Sequence, residues 1–223
     1  QTISGADRIP STKKFHPVSK DDRLNIRKRL TGWDNAVKVL AYIAKIIPRK
    51  NHIFLIEVME KLPDNYRLFM GGPAVAKGVE FERDSALARE IENAIQNRNL
   101  SSRVMLKTGF FKNIDEIYKM SDVYLFPTKE ERLGTPLLES IACGTPVVAN
   151  KIEGITDVWI KNGKNGFISE LNAESFVEKI QASCAISVDQ RNHEASLMLL
   201  ASGTETIDEG YVNIIKELTQ STK

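Results

Sequence analysis

The sequence is poor in the residues that build disulfide frameworks and metal centres. Its 223 residues include only two cysteines and three histidines. Cys143 and Cys184 both lie in apolar stretches with helical spacing, which favours buried, reduced thiols and a cytosolic setting over a disulfide framework. The histidines are scattered along the chain, so no group of residues has the spacing of metal ligands. We therefore predict no metal site.

Long apolar runs are also absent. No uninterrupted apolar stretch approaches the roughly 18 residues that a membrane-spanning helix requires. The chain begins at Gln1, without a methionine or a signal-like apolar segment, and we interpret it as a cut or processed product. Its length is sufficient to bury a sizeable core in a single domain.

Charge of one sign is not in large excess over the whole chain, but it is unevenly distributed. The formal net charge is +2, so the total predicts no nucleic-acid partner. Residues 1–50, however, contain 12 Lys and Arg but only four Asp and Glu. One interpretation is a solvated basic helix around Asp21–Leu30; the other is a surface that faces phosphate, anionic lipid or an acidic partner.

Strand and helix patterns alternate about six times along the chain. The predicted strands are Val37–Ile43, Tyr66–Met70, Val104–Leu106, Val123–Phe126, Pro146–Ala149 and Gly166–Ile168. The predicted helices are Asp21–Thr31, Asn51–Leu62, Glu82–Asn97, Asn113–Met120, Pro136–Cys143, Ala173–Ser183, Gln190–Leu200 and Ile207–Leu218. This order predicts an α/β fold with a doubly wound, Rossmann-like parallel sheet and helices on both faces. Ligands of such sheets bind beyond the carboxyl ends of the strands, so we expect the chemistry in the loops that follow the strands.

The segment from Pro127 to Ala149 carries the strongest functional signal. It places two carboxylates, Glu131 and Glu139, eight positions apart around a Gly-Thr-Pro turn that opens a helix. If Thr135 is the N-cap, Glu139 lies near the first turn, where the helix N-terminus presents free N–H groups to a phosphate or sugar hydroxyl. Taken alone, Glu139 is equally explained as a complement to the helix dipole, and Glu131 as an exposed loop acid. Together the parts predict a site for a phosphorylated sugar compound.

The same segment resembles the glutamate–seven–glutamate motif of family 4-like, retaining glycosyltransferases of the GT-B fold. The family pattern is Pro-Ser-x-x-Glu-Gly-Phe-Gly-x-Pro-x-x-Glu-Ala-x-Ala-x-Gly-x-Pro-Val-Val-Ala. The residues that match it in register are Pro127, Glu131, Gly134, Pro136, Glu139, Ala142, Gly144, Pro146 and the run Val147–Ala149. Arg132 and Leu133 replace the first glycine and the aromatic residue of the pattern.

The resemblance implies roles for the residues of this motif. Glu139 would accept the ribose hydroxyls of a nucleotide. Glu131 would contact hydroxyls of the donor sugar and the charged transition state, and is the predicted catalytic residue. The backbone N–H groups of Leu133, Gly134 and Thr135 would face the pyrophosphate and the sugar.

The resemblance also implies that cations hold the diphosphate of the donor. Lys50 matches the second of two family positions, and Lys45 stands where arginine is usual, which retains the charge without bidentate geometry. Arg49 is an alternative partner for Lys50. Arg132, in the place of a glycine, would narrow the sugar pocket or reach the phosphate.

Glycines at two strand ends complete the predicted donor site. Gly71 and Gly72 end the second strand, and Gly109 follows the third. The resemblance implies that the nucleotide approaches their backbone closely. The alternative is that these positions need positive φ or close packing for structural reasons alone.

The resemblance runs from about Phe15 to Leu218 and implies the carboxyl-terminal half of a two-domain enzyme. We predict an entry segment at residues 1–20, a donor-binding domain at 21–200 and, at 201–223, a helix that returns to an amino-terminal half. That half would hold the acceptor, which is a glycan, a lipid-linked sugar or another hydroxyl compound. The expected reaction moves a sugar from a nucleotide diphosphate sugar to this hydroxyl with retention of configuration.

The lysines and the helix N-terminus are expected to replace a metal, so no cofactor is predicted; the lack of an Asp-x-Asp motif agrees with this. The expected location is the cytoplasm, with contact to the cytoplasmic face of a membrane left open.

Two alternatives remain: a non-catalytic nucleotide-sugar-binding module, and a sugar-nucleotide epimerase or phosphorylase of the same architecture. A dehydrogenase is disfavoured, because no Gly-x-Gly-x-x-Gly follows the first strand.

Overall fold

The sheet of this protein is built from six parallel strands. Its structure is a computed structural model that describes residues 12–74 and 81–202. The strand order is β3-β2-β1-β4-β5-β6, with all neighbours parallel. The strands are β1 (Lys38–Ile43), β2 (Tyr66–Gly72), β3 (Val104–Thr108), β4 (Val123–Phe126), β5 (Val147–Asn150) and β6 (Gly166–Ser169). This confirms the predicted doubly wound α/β fold.

Eight helices connect these strands or extend the chain beyond them in the described ranges. They are α1 (Lys20–Thr31), α2 (Phe54–Lys61), α3 (Phe81–Asn97), α4 (Ile114–Met120), α5 (Thr135–Ala142), α6 (Thr156–Trp159), α7 (Ala173–Cys184) and α8 (Val188–Ser202). Local chemistry sets their ends. In α1, the hydroxyl of Ser19 accepts the N–H of Asp22, and Gly32 ends the helix in the left-handed conformation with φ 75°.

The central strands are buried on both faces. In β1, every residue after Lys38 is buried, and all four residues of β4 are buried. Continuous apolar runs of this kind are typical of parallel strands, because helices cover both sides of the sheet. The two most completely buried of these strands, β1 and β4, accordingly lie side by side in the middle of the sheet.

Most predicted element boundaries agree with the structure to within a few residues, but one helix start was wrong. The N-cap of α5 is Gly134, with φ 75°, whereas Thr135 was predicted. A glycine takes this left-handed conformation without a Cβ penalty, so the helix begins one residue earlier. The short 3-10 helix Pro48–Lys50 and α6 were not predicted.

Some predictions lie outside the described residues. These are the helix Ile207–Leu218 and most of the segments assigned to 1–20 and 201–223. Both cysteines are free; Cys143 is buried, as predicted, and Cys184 is only half-buried. Among the helices of residues 12–74 and 81–202, none has the length and apolar character needed to cross a membrane.

The fold creates a crevice between β1 and β4. From β1 the chain continues outward to β2 and β3, and it then returns to the other side of β1 to begin β4. The loops after β1 and β4 consequently leave the sheet in different directions and part at its carboxyl edge. Such a switch point is where open α/β sheets bind ligands.

Candidate functional site

A cleft of about 690 Å³ lies at the carboxyl ends of β1 and β4. It is lined by Ile43, Ala44, Lys45, Lys50, Phe126, Glu131, Arg132, Leu133, Thr135, Pro136 and Glu139. Seven of the predicted site residues are in this set, namely Lys45, Lys50, Glu131, Arg132, Leu133, Thr135 and Glu139. Residues that are up to 94 positions apart in the sequence thus form one wall. We call this site the carboxyl-edge cleft.

Lys50 and Glu131 form an ion pair within the carboxyl-edge cleft. The Nζ of Lys50 lies 2.7 Å from Oε2 of Glu131, and the two side chains are only 13% and 17% exposed. The hydroxyl of Tyr42 donates to the backbone carbonyl of Lys50 at 2.6 Å and so holds the segment that carries the lysine. Sequence reasoning named both charged residues but did not predict that they pair.

Glu131 is held as an anion. Burial alone would raise its pKa, but the hydrogen bond from Lys50 and the backbone N–H groups of Arg132 and Leu133 outweigh burial and lower the pKa. The N–H of Arg132 donates to Oε1 at 2.8 Å. Both carboxylate oxygens therefore have a donor, and the side chain is fixed in the cleft with its negative charge.

Glu139 occupies a different environment on α5. Burial raises its pKa, and the hydrogen bond from the hydroxyl of Tyr118 to Oε2, at 2.8 Å, opposes this rise only in part. Its Oε1 accepts no hydrogen bond from the described part of the chain. Glu139 is thus oriented through one oxygen, while the other can accept a hydrogen bond from a ligand.

Tyr118 contacts a residue of the candidate site, and sequence reasoning missed it. It is fully buried on α4, where it packs edge-on against Tyr124 with ring centroids 5.0 Å apart. A tyrosine on an apolar helix face usually belongs to the core. Only the packing of α4 beside α5 brings its hydroxyl to Glu139.

The start of α5 forms part of the cleft wall. Leu133, Thr135 and Pro136 line the cleft, whereas Gly134 is buried behind them as the N-cap. A Cβ on Gly134 would lie 3.0 Å from side-chain carbons of Ile155 and Leu137. Both the positive φ and the close packing therefore require glycine at this position. The positive end of the helix dipole lies at the cleft.

Three further cations were predicted near the ligand, and two of them line the cleft. Lys45 and Arg132 are exposed there, and neither side chain forms an ion pair with the described residues. Arg49 instead donates to the backbone carbonyl of Glu130 at 3.3 Å and is outside the cleft lining. Between Lys45 and Arg49, the geometry favours Lys45 as the companion of Lys50.

The glycines at the ends of β2 and β3 do not line the cleft. A Cβ on Gly71 would lie 1.8 Å from the carbonyl oxygen of Lys107, and one on Gly72 would lie 1.9 Å from that of Ala44. The neighbouring strand and loop backbones thus require glycine at both positions. Gly109, with φ 121°, has open space around it, so its backbone conformation alone favours glycine.

Two loops of the cleft are tied to each other. The hydroxyl of Thr128 and the N–H of Lys129 donate to the carbonyl of Arg49 at 3.2 and 2.9 Å. The amide of Asn51, a residue with φ 57°, donates to the carbonyl of Pro127 at 3.4 Å. These bonds hold the loop that carries Lys50 against the loop that carries Glu131. The described ranges contain no cluster of three or more His, Cys, Asp or Glu that could hold a metal ion.

Comparisons with known proteins match this chain to one family. The family model described as glycosyl transferases group 1 matches residues 25–193. A D-inositol 3-phosphate glycosyltransferase of Mycolicibacterium vanbaalenii is 30% identical over 148 residues, which are 65% of this chain and 32% of the relative. The UDP-Gal:alpha-D-GlcNAc-diphosphoundecaprenol alpha-1,3-galactosyltransferase of Escherichia coli is 27% identical over 171 residues, 75% of this chain and 41% of the relative.

Solved structures show the same fold. Anabaena Alr3699/HepE in complex with UDP and glucose superposes with a TM-score of 0.78 at 18% identity, covering 93% of this chain and 55% of that one. The C-terminal domain of the glycosyl transferase group 1 family protein LpcC from Francisella tularensis has a TM-score of 0.69 at 19% identity, covering 86% and 97%. The chain spans about a third of the length of the first curated relatives. Because the family model covers most of the sequence, the chain belongs to the glycosyl transferases group 1 family.

Proposed function

We propose that this chain is the donor-binding half of a retaining glycosyltransferase that uses a nucleotide diphosphate sugar. The single observation that carries the proposal is the carboxyl-edge cleft, in which Lys50, Glu131, Glu139 and the start of α5 meet at the switch point of the sheet. Cations and a helix N-terminus suit a diphosphate, and carboxylates suit hydroxyl groups.

Each part of the cleft has a defined task in this proposal. The ammonium of Lys50 has three donors, so it can bind Glu131 and a phosphate oxygen at the same time. Lys45 and the first turn of α5 add positive potential where the leaving diphosphate gains charge. We propose that these groups carry out the charge neutralisation for which other transferases use a metal, and that no cofactor is needed.

The two carboxylates would act at opposite ends of the donor. Glu139, oriented by Tyr118, accepts the ribose hydroxyls through its remaining oxygen. Glu131, held as an anion, contacts sugar hydroxyls and stabilises the positive charge that develops at the anomeric carbon. Stabilisation of a developing charge by a group that is already in place lowers the barrier without reorganisation. Arg132, exposed at the cleft wall, would then contact the sugar or the phosphate.

The comparisons support a nucleotide-sugar donor. The structural neighbour Anabaena Alr3699/HepE is described in complex with UDP and with UDP-glucose. The match to an isolated C-terminal domain over 97% of its length supports the assignment of residues 21–200 to a carboxyl-terminal donor domain. We further propose that 201–223 returns to an acceptor-binding half and that 1–20 enters from it. Retention of configuration, a cytoplasmic location and contact with a membrane face belong to the same proposal.

A nucleotide screen by thermal shift tests this proposal. UDP-, GDP-, ADP- and dTDP-sugars are added to the chain, and the shift of the unfolding temperature is measured for each. A ligand at 100 times its Kd should increase the free energy of unfolding by about 2.7 kcal/mol, which is readily detected. If no nucleotide sugar stabilises the chain, the donor-binding function is wrong. Interconversion of the sugar nucleotide without an acceptor would instead indicate an epimerase.

A further inference from the structure

A second, strongly basic pocket lies at the opposite edge of the sheet. It has a volume of about 320 Å³ and is formed by α1, the start of β1, the residue before β4 and the start of α8. Lys38 is the first residue of β1, and Asp122 directly precedes β4. The pocket is therefore at the amino ends of the strands, away from the carboxyl-edge cleft. We call it the amino-edge pocket.

The positive charge of the amino-edge pocket is not balanced by the described residues that line it. Its charged lining consists of Lys20, Arg23, Arg27, Lys38, Arg191 and one carboxylate, that of Asp122. Asp122 is largely committed to Arg27, with Nη2 and Oδ2 3.0 Å apart, and its Oδ2 also accepts the N–H of Val39 at 2.7 Å. Arg23 reaches the same carboxylate only at 4.0 Å. Four cations thus share what remains of one negative charge.

Two of these arginines have donors to spare. Arg191 is only 8% exposed; its Nη2 donates to the carbonyls of Ser183 and Cys184 at 3.2 Å, and its Nε has no partner among the described residues. The side chain of Arg23 is half-buried; its Nη2 donates to the carbonyl of Ser121, and its Nε is buried without a partner in the same part of the chain. Neither Arg191 nor the two exposed lysines form an ion pair with the described residues. An unpaired charge such as that of Arg191 is costly when it is removed from water.

The pKa values of the arginines reflect burial and the crowding of positive charge. Burial lowers the pKa of Arg23 to about 10; Asp122 opposes this, and the nearby charges of Arg191 and Arg27 lower the pKa further. Burial likewise lowers the pKa of Arg191. The guanidinium groups are thus close enough to repel each other. A dianion placed between them would relieve both the repulsion and the unsatisfied donors.

We propose that the amino-edge pocket binds the phosphate group of a phosphomonoester, either a small phosphorylated compound or the headgroup of an acidic phospholipid. The planar fork of an arginine matches a phosphate bidentately, and lysines at the rim add charge. The volume accommodates a phosphate with a small substituent, and it is less than half that of the carboxyl-edge cleft. The basic excess of residues 1–50 is thereby divided between two sites, because Lys45 and Lys50 line the other one.

Calorimetric titration of the full chain with glycerol 3-phosphate tests this proposal. The key variant is Lys20→Gln combined with Lys38→Gln, since both side chains are exposed and their replacement should leave the fold intact. Loss of these charge-assisted contacts should weaken binding about tenfold or more. Arg191→Gln should abolish it. Lys28→Gln, on the exposed side of α1 and outside the pocket lining, is the matched charge control and should bind as the unmodified chain does.

Two further measurements distinguish the amino-edge pocket from the carboxyl-edge cleft, and a small phosphorylated compound from a lipid headgroup. In Lys50→Gln, glycerol 3-phosphate should bind with unchanged affinity, because that lysine belongs to the other edge of the sheet. Flotation with phosphatidylcholine vesicles, with and without phosphatidic acid, measures binding to the lipid headgroup in the same variants. Binding of either probe that depends on Lys20 and Lys38 supports the proposal. It is overturned if neither probe binds, if the double variant binds as the unmodified chain does, or if binding is lost in Lys50→Gln.

Discussion

At the scale of single residues, Glu139 offers the most direct test of the carboxyl-edge cleft. Glu139→Ala should weaken nucleotide binding about tenfold, because the ribose loses a charge-assisted acceptor. The fold should survive, since the carboxylate is only half-buried and, within residues 12–74 and 81–202, its hydrogen-bond partner is the hydroxyl of Tyr118. Titration calorimetry with the preferred nucleotide measures the change. Glu153→Ala, an exposed acid outside the cleft lining, is the control. Unchanged affinity in folded Glu139→Ala would remove this residue from the site.

Replacement of Lys50 tests which part of the nucleotide this residue binds. Lys50→Gln should cost about 1.5–3 kcal/mol of binding free energy for a nucleoside diphosphate, and much less for the bare nucleoside. The salt dependence of diphosphate binding should become shallower at the same time, since one charged contact is lost. Lys129→Gln removes the same charge from an exposed position and should have little effect. Equal losses for nucleoside and diphosphate would place Lys50 away from the phosphates.

His52 is buried next to the loop that carries Lys50, and we expect it to make the free energy of unfolding depend on pH. It is 1% exposed, and its ring packs on Tyr42 with centroids 4.7 Å apart. Burial lowers its pKa from 6.5 to about 4. The ring nitrogens lie near the backbone of Gly71 and Ala44 without meeting hydrogen-bond geometry, and these groups offset the burial only in part. The folded protein therefore keeps His52 neutral over a range in which the unfolded chain binds a proton.

The sign of the effect follows from proton binding. Between pH 7 and pH 5 the unfolded state takes up the proton of His52 and the folded state does not, so stability falls as the pH falls, by about 2 kcal/mol. Urea unfolding at both pH values should show this loss, and His52→Phe should remove it. Groups such as Glu139 titrate both in the unmodified chain and in His52→Phe. The difference between the pH dependences of their stabilities therefore isolates His52. Identical pH slopes would show that the histidine is protonated in the folded state too.

At the scale of elements, Asp122 joins α1 to the sheet. Its carboxylate pairs with the buried guanidinium of Arg27 and accepts the N–H of Val39 from β1. Arg27 also donates to the carbonyl of Met120 through Nε and Nη2, at 3.0 and 2.8 Å. One carboxylate therefore connects a helix with two neighbouring strands at the amino edge.

We expect Asp122→Ala to destabilise the protein by about 3–5 kcal/mol, because it leaves a buried arginine without its counter-charge. Chemical denaturation measures the loss. Arg29→Ala breaks the pair of Arg29 with Glu116 on the surface of α1, and should cost at most about 1 kcal/mol. If the two variants are equally stable, the buried pair is not what fastens α1.

The strand ends show that packing alone can require glycine. Gly71 and Gly72 are predicted to let a nucleotide approach their backbone, and independently of that role the carbonyl oxygens of Lys107 and Ala44 occupy the space that a Cβ would need. The α5 start differs in this respect. There a left-handed glycine sets the direction of a helix whose first residues do line the cleft.

At the scale of the whole molecule, we expect residues 1–223 to bind donor and to transfer no sugar. In the proposed enzyme the acceptor binds to a separate amino-terminal half, and positioning of the two reactants makes up much of such catalysis. The assay follows labelled sugar onto lipid, glycan and protein acceptors, with and without an amino-terminal half supplied in trans. Slow hydrolysis of the donor fits this expectation. Acceptor-dependent turnover by this chain alone would contradict it and require an acceptor site within the chain.

The sequence alone determined the class of fold and the identity of most charged groups in the cleft. Alternating apolar segments specify strands and helices because burial of one face or both depends on local spacing. The motif from Pro127 to Ala149 supplied Glu131, Glu139 and the turn between them, since all three lie on one continuous segment. The sequence also indicated the surplus of positive charge in residues 1–50.

Only the tertiary structure decided which of these groups meet. Lys50 and Glu131 are 81 positions apart, and Tyr118 and Glu139 lie on different helices. Their contacts depend on β4 lying beside β1 and on α4 lying beside α5, an order that periodicity does not encode. The amino-edge pocket has the same origin, because Arg23 and Arg191 come together only when α1 and α8 pack at one end of the sheet. Local rules act over a few residues, whereas strand order joins residues from distant parts of the chain.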